Sequence, residues 1–100
     1  GQVVALVKPQ FEAGREQIGK NGIVRDSSVH EKVLETVTAF AVDYGFSVKG
    51  LDFSPIQGGH GNIEFLAHLE KTNSPQNDAQ TSIKEVVAQA HKEFKKNEEE

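Results

Sequence analysis

The sequence contains no cysteine. That removes disulfides, thiolate metal sites and cysteine nucleophiles together, and it fits a reducing compartment such as the cytoplasm. No apolar run approaches the ~18 residues that a membrane-spanning helix needs, so no membrane partner is expected. The first residues lack the charged-then-apolar order of a secretory signal. Positive charge is also scarce: 11 Lys and Arg stand against 15 Asp and Glu, a formal net charge of −4. Such a chain does not bind nucleic acid through bulk charge, so any polyanion contact has to be local. What remains is 100 residues, 36% hydrophobic and 26% charged, the length and composition of a single globular domain.

Charge is spread unevenly. Residues 1–28 carry four basic and three acidic groups, 29–71 three and six, and 72–100 four and six. The N-terminal third is the relatively basic part. The chain ends in Glu98-Glu99-Glu100, read as a solvated acidic tail behind a domain of residues 1–97.

Apolar periodicity divides the rest. Val3–Val7 is continuously apolar and β-branched, a pattern that predicts a strand buried on both faces, and Pro9 ends it. A buried strand so near residue 1 is expected in a piece of a longer protein. Residues 10–27 show neither period and predict a long loop with room for a short helical turn. Ser28 and Glu31 have capping-box spacing, and Val29, Val33, Val37, Phe40 and Tyr44 follow at helical intervals up to Gly45. Residues 47–54 and 62–71 alternate as strands, joined through Pro55 and the glycine turn Gly58-Gly59-His60-Gly61. A last helix is predicted over 79–95, with Ile83, Val86, Val87, Ala90 and Phe94 as its stripe. The class is α/β. The first two strands can pair in parallel through a right-handed crossover, and the third should be antiparallel.

Several motifs resemble binding sites without completing them. Gly14 to Asn21 nearly spells a phosphate loop, but Asn21 replaces the magnesium-binding hydroxyl and no helix pattern follows. Gly59-His60-Gly61 leads into a strand, not the helix of a dinucleotide fingerprint. His60, Glu64 and His68 would face one another on a helix, but the stretch reads as turn and strand, so no metal is expected. Arg15, Lys20 and Arg25 form a scattered basic loop that could meet phosphates or simply be solvated. Lys8 and Glu64 carry more. Lys8 ends the first strand and Glu64 opens the last, so both fall at the sheet edge where parallel α/β folds keep their ligand crevice. Such a pair could position and activate a hydroxyl nucleophile, or merely cap the sheet as an ion pair.

Val7-Lys8-Pro9-Gln10-Phe11-Glu12-Ala13-Gly14-Arg15-Glu16, Gly22-Ile23-Val24-Arg25-Asp26, Ser54-Pro55-Ile56 and Gly61-Asn62-Ile63-Glu64-Phe65-Leu66 occur in this order. Together they resemble the hemolysin-A-type (TlyA-like) proteins, ribosomal-RNA ribose 2′-O-methyltransferases of the FtsJ-like class. The resemblance covers residues 3–71. It implies the C-terminal part of a Rossmann-like, S-adenosylmethionine-dependent methyltransferase fold, with its antiparallel last strand inserted between the other two. It also implies that Lys8 and Glu64 match the second Lys and the Glu of the family's Lys-Asp-Lys-Glu site. The first Lys, the Asp and the cofactor-binding turn have no counterpart in this chain. Arg15, Lys20 and Arg25 would steer ribosomal RNA. The chain alone is expected to be inactive, to bind no S-adenosylmethionine and to self-associate through its truncated face. The alternative, from the residues themselves, is a non-catalytic α/β module that grips RNA or a protein.

Overall fold

In the computed structural model, which describes residues 1–14, 18, 19 and 22–98, the capping carboxylate of the first long helix is Asp26. It accepts from the Ser28 amide at 2.8 Å and the Ser28 hydroxyl at 2.7 Å, and α2 runs Ser27–Asp43. The cap expected at Ser28 therefore lies two residues earlier, and no capping box forms there because the residue three beyond Asp26 is Val29. A carboxylate satisfies the orphan amide and complements the positive helix end better than a hydroxyl does. The Ser28 bonds, foremost, hold the Asp26 carboxyl below its ordinary pKa. At the other end Gly45 adopts φ +92°, and Lys71 Nζ donates to the Tyr44 carbonyl at 3.1 Å, closing the helix as a C-terminal cation should.

Three strands form one sheet: β1 (Gln2–Val7), β2 (Phe46–Phe53) and β3 (Phe65–Lys71), in the order β1-β3-β2. Both pairings are antiparallel to β3. The parallel pairing of the first two strands expected from their own sequence does not form, because β3 lies between them. The insertion implied by the family resemblance is what occurs. Between β1 and α2 lies α1 (Pro9–Glu12), whose first position is the preorganised Pro9. Beyond β3, a 3-10 turn at Gln80–Ser82 enters α3 (Ile83–Glu98).

The registers place Val7, Phe65 and Phe53 on one face, followed by Ala5, Ala67 and Leu51. On that face Phe65 and Ala67 are buried against Leu34 and Val33 of α2 and Ile83, Val87, Ala90 and Phe94 of α3. The expected stripe of α2 is rotated. Val29, His30, Val33, Leu34 and Thr38 are buried, while Phe40 and Tyr44 are exposed and contact each other edge to face at 4.5 Å. Thr38 enters the core because its hydroxyl donates to the Leu34 carbonyl at 2.7 Å, leaving no unpaired donor. The opposite face of the sheet is open. There Val4 and Leu6 are exposed, so β1 is an edge strand with a single buried residue, Val7, and not the doubly buried strand its composition predicts.

Candidate active site at the sheet edge

Val7 and Phe53, the last residues of β1 and β2, both pair with Phe65, the first residue of β3. The residues just outside these positions therefore meet at one edge. Lys8 follows Val7, Glu64 precedes Phe65, and the Ser54 amide donates to the Glu64 carbonyl at 2.8 Å. This is the convergence expected of Lys8 and Glu64, produced by strand register alone.

Glu64 is only 6% exposed. Gln10 Nε2, on α1, donates to its carboxylate at 2.8 Å. The same carboxylate lies against Gly58, where any β-carbon would collide with it. A buried carboxylate requires such polar support, since leaving it without partners costs several kcal/mol or more. Gln10 Oε1 is buried without a hydrogen-bond partner, an acceptor beside the carboxylate available to a donor from a ligand.

Lys8 is exposed, and its Nζ sits 5.9 Å from the centre of the Phe11 ring. It does not pair with Glu64: among the described residues the ion pair within 4.0 Å is Lys49–Asp78. The two share instead a cleft of about 430 Å³ with Gln10, Phe11, Gly58 and Asn62. That arrangement leaves space for a small polar group between lysine and carboxylate, which a closed ion pair would fill.

Asn62, not singled out by sequence reasoning, organises the cleft wall. Its Oδ1 accepts from the Val24 amide at 2.9 Å, and its Nδ2 donates to the Gly22 carbonyl at 3.0 Å and the Gly59 carbonyl at 2.9 Å. One buried amide thus ties the loop before α2 to the glycine turn before Glu64. The available signal was an Asn directly after Gly61, whose φ is +83°, since such turns often use side-chain amides to satisfy backbone groups.

A second omission is His30. It is fully buried, with Nε2 at 3.1 Å from the Val24 carbonyl and Nδ1 at 2.7 Å from His91 Nε2. A carbonyl only accepts, so His30 Nε2 carries the proton and His91 Nε2 donates to His30 Nδ1. Burial, followed by the His91 charge, pushes the His30 pKa down to about 4. Burial also lowers that of His91. The unfolded chain therefore binds more protons than the folded one below about pH 6.5. We expect stability to hold above that pH and to fall progressively between about pH 6.5 and 4, by on the order of 2 kcal/mol. Urea unfolding midpoints measured across that window check this, and His30→Gln should flatten the dependence.

The other expected residues separate. Arg25 is exposed at the loop, outside the cleft, while Arg15 and Lys20 lie outside the described residues. His68 is exposed on the open sheet face, opposite Val4 and Gly50. About 13 Å of strand separates it from Glu64, so those two do not form one ligand set.

The chain is similar to several known proteins. Residues 2–71 match the family model described as FtsJ-like methyltransferase. The chain is 53% identical over 95 residues to "Putative rRNA methyltransferase YqxC" of Bacillus subtilis, covering 92% of this chain and 34% of that protein. It is 37% identical over 67 residues to "16S/23S rRNA (cytidine-2'-O)-methyltransferase TlyA" of Mycobacterium tuberculosis, covering 67% of this chain and 25% of that protein. A solved structure described as "Putative hemolysin from Streptococcus thermophilus" superposes with a TM-score of 0.97 at 94% identity, over 100% of this chain and 36% of that one. The chain thus spans between a quarter and just over a third of the length of these relatives. The family model matched over residues 2–71 places the chain in the FtsJ-like methyltransferase family.

Proposed function

We propose that this chain is the C-terminal portion of a cytoplasmic RNA ribose 2′-O-methyltransferase acting on ribosomal RNA, and that Lys8 and Glu64 are its contribution to the catalytic site. The observation that carries this reading is one cleft lined both by Lys8, which has no ion-pair partner among the described residues, and by a buried, Gln10-supported Glu64. A ribose hydroxyl entering that space meets a cation that orients its oxygen and assists loss of its proton. It also meets a carboxylate that accepts a hydrogen bond from the sugar. Glu64 is preorganised because Gln10, Gly58 and the register of β3 fix it before substrate arrives.

The methyl donor implied by the family, S-adenosylmethionine, is not fitted by the residues described here. β1 passes through Pro9 directly into the short α1, and the turn at Gly58–Gly61 opens onto a strand. Neither is the amide-lined strand-to-helix turn that such a cofactor requires, so the rest of the longer protein has to hold it. The exposed Val4 and Leu6 on edge strand β1 are a surface for self-association when that remainder is missing. Sedimentation velocity of the isolated chain should accordingly depend on concentration.

The reading is tested with a full-length methyltransferase carrying this chain, by following labelled methyl transfer into ribosomal RNA. Glu64→Gln should leave the fold intact, since Gln keeps a side-chain acceptor for Gln10, and should slow transfer by at least about 100-fold. Unchanged transfer would remove Glu64 from the site.

A further inference from the structure

A second hollow, of about 280 Å³, opens beside the Lys8–Glu64 cleft. The same two loops form both: Gly22 and Gly58 line the cleft, while Ile23, Arg25, Gln57 and Gly61 line the hollow. Asn62 hydrogen-bonds both loops from within. The hollow's floor is apolar, from Ile63 and Phe94, and its rim carries Arg25 and Lys95 with His91 in the wall. Among the described residues no carboxylate lines it, in a chain whose formal net charge is −4.

The histidine pair adds a directional feature. His30 uses both ring nitrogens, donating to the Val24 carbonyl and accepting from His91. His91 uses Nε2 only, and its Nδ1 has no protein partner among the described residues. A proton added at His91 Nδ1 leaves both hydrogen bonds intact, and the proton between the rings then stays on His91, because burial penalises the charge more on the fully buried His30 than on the half-buried His91. The pair therefore takes its first proton on the residue that lines the hollow. The titratable and charged groups around His91 are Asp26, the cap of α2, the neutral His30 in its first turn, Arg25 from the loop, and Lys95 one turn along α3.

We infer that this hollow is a subsite for the phosphodiester of a single-stranded RNA nucleotide next to the one in the Lys8–Glu64 cleft, with Arg25 and Lys95 contacting the phosphate and His91 as a proton-dependent third donor. The identity of the ligand rests on the methyltransferase reading. The site itself rests on the cationic rim and the histidine geometry. A bound phosphate favours the protonated form of His91, so affinity rises as pH falls.

The test is a titration of the 15N-labelled chain with a short single-stranded RNA, read by NMR and by fluorescence anisotropy at several salt concentrations. Amide shifts should appear at Arg25, Gly61, His91 and Lys95. The double variant Arg25→Gln/Lys95→Gln, at two exposed positions, should bind about tenfold more weakly, with a salt slope smaller by about 1–2. Affinity of the unmodified chain should increase about 3- to 10-fold from pH 7.5 to 5.5. His91→Gln, whose amide can still donate to His30, should abolish that increase while the melting temperature is retained. Equal affinity of the double variant, absence of shifts at the hollow, or an unaltered pH profile in His91→Gln would overturn the subsite. None of these readouts depends on Lys8 or Glu64. Failure here with Glu64-dependent methyl transfer intact removes the subsite alone, and the reverse result removes the catalytic reading.

Discussion

Replacing Lys8 by alanine in a full-length methyltransferase carrying this chain is expected to slow methyl transfer to ribosomal RNA by about 10²–10⁴-fold. Stability should change by less than about 1 kcal/mol. The two halves of this expectation have separate causes. Lys8 is exposed, and its recorded contact is the Phe11 ring at 5.9 Å, so its removal leaves no buried group without a partner. Its position is set by β1, whose last residue Val7 is buried and paired with Phe65. An alanine there therefore keeps the backbone in place while emptying the cleft of its cation. A group that acts on the reacting hydroxyl in the transition state lowers kcat when lost, whereas one that only binds RNA raises KM. Single-turnover rates at saturating RNA, measured beside a thermal melt, separate the cases. A near-normal rate, or a melt lowered together with the rate, would make Lys8 a surface cap of the sheet.

Asn62→Ala is expected to act in the opposite way, chiefly on the fold. The side chain makes three hydrogen bonds, to the Val24 amide and the Gly22 and Gly59 carbonyls, and the residue is buried. Alanine would orphan the buried Val24 amide and take one bond each from the Gly22 and Gly59 carbonyls, of which Gly59 keeps its bond from the backbone amide of residue 62 at 3.2 Å. The unsatisfied buried amide costs about 1–3 kcal/mol, so the loss is on the order of 2 kcal/mol. In a domain of this size that lowers the melting temperature by roughly 8–16 °C. The damage should spread along a defined path. Val24 is held by Asn62 through its amide and by His30 through its carbonyl, so the His30–His91 pair loses its anchor as well. The imidazole resonances of both residues should shift in the variant, while signals from the β1–β3 pairing change little. Asn62→Asp keeps the acceptor for the Val24 amide but sets an acceptor-only oxygen against the Gly22 and Gly59 carbonyls, so it should recover little of the stability. A melt unchanged in Asn62→Ala would show that the loop and the glycine turn hold together without this amide.

The sequence by itself determined the elements, their order and the edge at which chemistry can gather. Alternation in Phe65–Lys71, helical spacing in Val29–Val37 and in Ile83–Phe94, and Pro or Gly at the boundaries are local consequences of backbone geometry. They appear within a residue or a few of where the structure has them. The family motifs around Lys8 and Glu64 were legible for the same reason, being short and contiguous. Tertiary structure decided what depends on partners distant in the chain. It placed β3 between β1 and β2, a choice no strand records in its own residues, and it left the continuously apolar β1 at an edge with Val4 and Leu6 exposed. It also turned α2 so that His30 and Thr38 are buried while Phe40 and Tyr44 are outside. Polar residues enter a core only where hydrogen-bond partners await them, and for His30 those partners are Val24 and His91, 6 and 61 positions away. Glu64 shows both contributions. Its place at the start of a strand is written locally, but its burial, its bond from Gln10 and its separation from Lys8 come from packing α1 and the Gly58 turn against the sheet edge.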